Sequence, residues 1–359
     1  MNNIEQGVNV NSGTEQLPYS AIHHNVENIS LTSSEMGQLW NTYMAQSMSK
    51  CMVSYLVAKC TDPDMRSVLQ LILDVSNRHV NSITEIFNKE NFPIPHGFTD
   101  EDFDVNAKSL FSDTYMVLYS KFMTKYGLIN FSYSLASIFR PDVFAFYKGC
   151  ILDFTEITEK INIVLLSKGL LEKTPYIPIP DRMEYVYPET SYFKGILGEK
   201  RPLNALEIGH IFINANTRQY EDAMFMGFGQ VAKSKKLKDY FSRGKQIADK
   251  QTGVLGSFLE DEDLPKPVNF DHLITDSTES PYSDKLLLFH STIFISLSIQ
   301  AYGIALGNCA RPDVASSIAR LMAELGIYVK DGLDLLIEHG WLERIPEAAN
   351  RKELRTTNN

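Results

Sequence analysis

Arg140-Pro141-Asp142-Val143 returns unchanged as Arg311-Pro312-Asp313-Val314. The separation is 171 residues (Arg140 to Arg311), and the same register recurs outward from this pair. Toward the C-terminus, Lys168-Gly169-Leu170-Leu171-Glu172 faces His339-Gly340-Trp341-Leu342-Glu343, again 171 apart. Toward the N-terminus the offset is 172. There Leu31-Thr32-Ser33-Ser34-Glu35-Met36-Gly37 faces Leu203-Asn204-Ala205-Leu206-Glu207-Ile208-Gly209, and Asn91-Phe92-Pro93-Ile94-Pro95 with Phe98 faces Asp263-Leu264-Pro265-Lys266-Pro267 with Phe270. Four matches in one order, at nearly one offset, identify an internal duplication with a single residue lost in the intervening loop.

The duplication divides the chain. Residues 1–30 are a polar arm, expected to be mobile. Residues 31–172 form the first repeat and 203–345 the second, with a polar tail over 346–359. The linker, 173–202, carries Pro175, Pro178 and Pro180, which favour extended chain. It also carries Tyr176, Tyr185, Tyr187, Tyr192 and Phe193, and such an aromatic segment is expected to lie against a bundle.

Each repeat reads as four long helices. The first opens on a capping box, Thr32 with Glu35 and Asn204 with Glu207. Met36, Leu39, Trp40, Tyr43 and Cys51 then follow helical spacing. The second starts at Asp62-Pro63, with proline where its missing N–H costs nothing, and carries Met65, Leu69, Ile72, Val75, His79, Ile83 and Phe87. The third, from about Ser112, carries Tyr115, Tyr119, Phe122, Tyr126, Ile129 and Tyr133. The fourth begins near Pro141 and stops at Lys168-Gly169, a basic last turn before a glycine. Helices one and two are joined by a few residues, as are three and four, so each pair is an antiparallel hairpin. About 20 residues separate helices two and three. They can span about 65 Å, against about 40 Å for a 27-residue helix. Short–long–short is the connectivity of a ferritin-like bundle with one crossover. The expected fold is all-α, two tandem ferritin-like four-helix bundles, the alternative being up-down bundles with one large loop.

Composition narrows the function classes. Apolar residues make up 44% and charged residues 22% of the 359, a globular balance. The formal net charge of −10 opposes duplex nucleic-acid binding, which replaces counterions with Lys and Arg. No polybasic stretch addresses an anionic membrane, residues 1–20 contain no apolar segment of a secretory signal, and no apolar run approaches the roughly 18–20 residues of a bilayer span. Cys51, Cys60, Cys150 and Cys309 lack C-x-x-C spacing and read as reduced, buried thiols. A cytoplasmic chain is expected, with no nucleic acid and no membrane span.

A ferritin-like bundle can hold two metal ions, iron or manganese, if two helices each give a Glu and two each give Glu-x-x-His. That spacing works because residues i and i+3 project from one helix face. Here the set is incomplete. Ser76 stands three before His79, and the counterpart of His79 is Gln251. Helix four offers Glu156-x-x-Glu159 in copy one, and Glu324 followed by Ile327 in copy two. Glu207-x-x-His210 lies at a helix start, where Glu207 serves as the capping acid. The metal candidates are therefore His79, Glu156 and Glu159, and no cofactor is expected. His79 also reads as a neutral core histidine bonded to a helix-three tyrosine. His290 lies on helix three, where copy one has Tyr119. Arg140, Pro141 and Asp142, with Arg311, Pro312 and Asp313, read as a tight turn. Proline fixes φ, Asp caps the new helix, and Arg meets the end of the preceding one.

With these motifs and Lys200-Arg201-Pro202-Leu203-x-x-x-Glu207-Ile208 in view, the chain resembles the duplicated ferritin-like proteins of bacilli grouped as domain-of-unknown-function family 3231. The resemblance covers residues 31–343. It implies a fold similar to spore coat F-type proteins and a place in sporulation or the spore coat, and it brings no catalytic residues. The expected function is that of a non-enzymatic structural or partner-binding component, acting through a protein partner or self-association. The alternatives are a ferritin-like metal-binding protein or oxidase with an incomplete di-metal site, and a binder of a small apolar ligand in a bundle pocket.

Overall fold

The structure, a computed structural model, describes residues 29–187, 192–193 and 200–356. Nearly all of the polar arm (1–28) and the middle of the linker lie outside the described residues. Copy one comprises α1 (Ser33–Lys59), α2 (Pro63–Lys89), α3 (Asp113–Leu135) and α4 (Pro141–Ser167). Copy two comprises α5 (Ala205–Val231), α6 (Lys235–Glu260), α7 (Asp284–Asn308) and α8 (Pro312–Glu338), and the tail adds a short α9 (Arg351–Thr356). No strand occurs among the described residues; the chain is an all-α duplicated bundle.

Local sequence sets the helix ends. Thr32 accepts from the Glu35 N–H while Glu35 returns to the Thr32 N–H at 2.8 Å, and Asn204 with Glu207 does the same. Asp62 accepts from the Asp64 and Met65 N–H groups, with Pro63 as the first helical residue. After α4 and α8, Gly169 (φ +68°) and Gly340 (φ +70°) take the left-handed conformation that lets the chain leave.

Contacts at the helix ends fix the topology. The Thr61 and Asp62 N–H groups, in the α1–α2 turn, donate to Asp113 at the start of α3 (2.9 and 2.8 Å). At the opposite end Glu90, just after α2, pairs with Arg140 in the α3–α4 turn. So α2 ends where α3 also ends, and the crossover between them runs the length of the bundle. Copy two repeats both contacts, with Asp284 accepting from Lys233 and Ser234 and with Glu262 pairing with Arg311. This is the ferritin-like connectivity and not the up-down alternative.

The two copies share one hydrophobic core. α3 lies against α7, with Phe122 stacked on Phe294 (centroids 4.0 Å apart) and Tyr119 bonded to His290 (2.6 Å). The two crossovers run antiparallel, Phe103 opposite Tyr282 and Phe111 opposite Ile274. Their bonds come in mirrored pairs. Asp104 N–H donates to Pro281 O, as Thr275 N–H does to Leu110 O. Ser283 N–H donates to Asp102 O, as Ser112 N–H does to Leu273 O. At the 171-residue offset each member of a pair is the image of the other, so a pseudo-two-fold axis relates the copies. Tyr119 and His290, equivalent positions in contact, sit at that axis. The seam is an isologous dimer interface enclosed within one chain.

The repeat-terminal glutamates clasp the seam. Glu172 accepts from Val268 N–H (3.1 Å) and from Asn216. Its counterpart Glu343 accepts from His96 and Gly97 N–H (2.8 and 2.7 Å). Each copy's last carboxylate thus caps the other copy's crossover.

Two features differ from expectation. The aromatic linker meets the expectation only at its far end: Tyr176 and Tyr185 are exposed, whereas Tyr192 stacks beneath Arg201 (4.2 Å) and meets Asn204 at the start of copy two (3.5 Å). Second, α7 is long and apolar enough to cross a membrane, its most apolar window having a mean hydropathy of 1.4, with 67% of that window buried. A helix enclosed by its own bundle and by the other copy needs apolar residues all round.

Candidate functional site

At the bundle centre of copy one, His79 is buried and its Nε2 lies 3.0 Å from Asp153 on α4. Arg78 donates to the other oxygen of Asp153 (2.8 Å). The rings of Phe131, Phe146 and Phe154 enclose the imidazole at centroid distances of 5.7–6.0 Å. Burial pushes the His79 pKa down, and the nearby Asp153 offsets this only in part. The ring is therefore neutral at pH 7. Its expected tyrosine partner is not used: Asp153 takes Nε2 from the neighbouring helix, and the buried Nδ1 has no hydrogen-bond partner.

Copy two builds the same bridge from other residues. Gln251, at the His79 position, donates to Glu324 (3.0 Å), which stands at the Asp153 position. Lys250, at the Arg78 position, pairs with Glu324. Gln251 also donates to Leu321 O and accepts from the Tyr302 hydroxyl (2.8 Å). In both copies a basic residue and its buried neighbour on the second helix tie to one carboxylate on the fourth. Asp153 was not singled out in the sequence. The signal was there, since Asp153 and Glu324 align, as do Arg78 and Lys250.

The three metal candidates do not converge. Glu156 is half-exposed and pairs with Lys160 one turn on, and Glu159 is exposed. Both lie on the outer face of α4, while His79 faces the core. Among the described residues no group of three or more His, Cys, Asp or Glu side chains is placed to share an ion.

The Arg-Pro-Asp turn is a knot at one end of each bundle. Arg140, 1% exposed, makes a bidentate pair with Asp142 (2.8 and 2.9 Å) and also reaches Glu90 and Ile29 O. Arg311 repeats this with Asp313, Glu262 and Arg201 O. The roles differ from those expected. Arg140 and Arg311 are the N-caps, with no side-chain cap bond, and they reach the end of the second helix instead of the third. The aspartates lie inside the first turn, holding the guanidinium. Glu35 and Glu207 complete the knot, each accepting two backbone N–H groups of the turn. Burial would raise the pKa of Glu35, but backbone donors from Thr32 and Arg140 outweigh it and hold the carboxylate below its ordinary value.

Between α1, α3 and α7 a cavity of about 350 Å³ opens beside the His79 bridge, with Phe131 and Phe154 common to both. Gly127 lines it. A Cβ at this position would strike the Phe154 ring, so glycine permits the approach of α4.

The family assignment rests on a match to each of the two repeats. A family model for domain-of-unknown-function family 3231, described as a protein of unknown function, matches residues 21–183 and again 191–354. The chain belongs to this family. A search of curated proteins finds no match. Among solved structures this family 3231 chain is similar to a "putative spore coat protein" of Bacillus halodurans. The two are 16% identical with a TM-score of 0.37, over 45% of this chain and 100% of that one.

Proposed function

We propose that this protein works by binding and not by catalysis, as a structural or partner-binding component. The observation that supports this is the pair of bridges at the bundle centres. The position from which a ferritin-like site would draw a histidine is occupied by His79 in one copy and Gln251 in the other. Each is committed to a carboxylate of the fourth helix. A ligand set that one copy replaces with an amide, keeping the bridge, is under structural and not catalytic constraint. A protein partner or further self-association would cover the outward apolar residues Leu152, Ile163 and Leu166 of α4 and the exposed Tyr176, Ile179 and Tyr185 of the linker. Spore association rests on the resemblance to coat F-type proteins alone.

Elemental analysis of untagged protein grown with added iron and manganese, beside His79→Ala, tests the reading. Metal at background in both proteins is expected. One or two ions per chain, lost in the variant, would restore the oxidase alternative.

A further inference from the structure

The cavity between α1, α3 and α7 lies in copy one, and copy two carries different side chains at the equivalent inner positions. At the 172-residue offset Gln46 and Ser49 correspond to Arg218 and Glu221. At 171, Gly127 and Phe131 correspond to Ser298 and Tyr302. In copy two these residues contact one another. Arg218 and Glu221 form a buried ion pair (2.6 Å), Ser298 donates to Glu221 (2.6 Å), and the guanidinium lies 5.4 Å from the Tyr302 ring. In copy one the cavity measures about 350 Å³, within the range of small-molecule sites.

Its lining sets the chemistry of an occupant. No charged side chain lines the cavity, so an ion entering it would lose its hydration without a counter-charge. Most of the polar groups are already spent. The Thr42 hydroxyl pairs with Tyr147, while Ser120, Thr124 and the Asn130 amide bond to backbone carbonyls of their own helix. Two buried groups of the lining have no hydrogen-bond partner, Gln46 Oε1 and the Tyr126 hydroxyl, and Gln46 is only 5% exposed. A buried acceptor without a partner is costly, and Gln46 is part of the wall of this uncharged chamber. We propose that the copy-one cavity binds a neutral, predominantly apolar small molecule carrying one N–H or O–H donor, which bonds to Gln46 Oε1.

The matched probes N-phenyl-1-naphthylamine and 8-anilinonaphthalene-1-sulfonate test this on the full chain. They share an aromatic skeleton with one N–H and differ by a sulfonate. The neutral probe is expected to bind one per chain with a fluorescence gain, and the sulfonate to displace it only at roughly tenfold or higher excess. Gln46→Arg with Ser49→Glu, which transplants the pair from copy two, is expected to abolish binding with helicity unchanged by circular dichroism. Gln46→Leu keeps the chamber, removes the acceptor and stays fold-compatible; it is expected to weaken binding roughly three- to tenfold, the worth of one hydrogen bond. Absence of stoichiometric binding, equal binding of the sulfonate, or full affinity in either variant would overturn the proposal.

Discussion

His79 carries its consequence in its titration. Its pKa is depressed below the ordinary 6.5 by burial, so the folded state favours the neutral ring. The stability this represents is complete above pH 6.5 and is lost as pH falls from there through the folded value. His79→Gln installs the residue that copy two uses and removes that titration. The urea midpoint of the wild type is expected to drop relative to the variant between pH 6.5 and 5, with a constant difference above 7. A difference that stays flat across the whole range would show that the ring does not titrate with folding. Arg140 tests the knot at the bundle end. Arg140→Met leaves Glu90 and Asp142 facing an apolar side chain. Both carboxylates are about one-quarter exposed, which places the loss at the low end of broken buried pairs, about 3 kcal/mol. Arg311→Met should match it in equilibrium denaturation, because both carboxylate partners are duplicated. A loss under about 1 kcal/mol in both would reduce the knot to a surface ion pair.

The helices were legible in the sequence because what makes them is local. Capping boxes, Pro63, Pro141 and the glycines after α4 and α8 each act within a turn of their own position, and all appear where the pattern placed them. Partners across elements were not legible. Asp153 reaches His79 from α4, and Arg140 reaches Glu90 across 50 residues, distances over which spacing carries no geometry. The crossover was legible as a long connection but not as a built element. It is held at Gly97, whose φ of +57° suits glycine. The Gly97 N–H donates to Glu343 and its carbonyl accepts from Lys285 (both 2.7 Å). A Cβ at this position would lie 2.6 Å from Ser47 Oγ. Gly97→Ala is therefore expected to cost about 1–3 kcal/mol in left-handed strain and overpacking. It should also speed amide hydrogen exchange along residues 96–99 more than in α2. Unchanged stability would mean the crossover adapts and does not clamp the seam.

At the scale of the molecule, duplication has turned a two-fold interface inward, and the axis is no longer symmetric in chemistry. Lys108 and Glu279, equivalent positions, pair across it (2.9 Å), and Tyr119 meets His290. Two identical copies would place Lys108 against Lys108 or Glu279 against Glu279. The exposed pair contributes little energy but disfavours like-with-like assembly. Linker residues 173–187 run along the surface, with Tyr176 and Tyr185 more than 80% exposed. Across the seam the copies meet through the shared core, the mirrored crossover bonds and the glutamate clasps. Brief chymotrypsin treatment is expected to cut after these tyrosines before any helix is cleaved. The two fragments should then elute together as one 1:1 species at the mass of the intact chain, separating only in denaturant. Fragments that part in native buffer, or that re-pair as like with like, would show that the seam depends on the linker and that its asymmetry selects nothing.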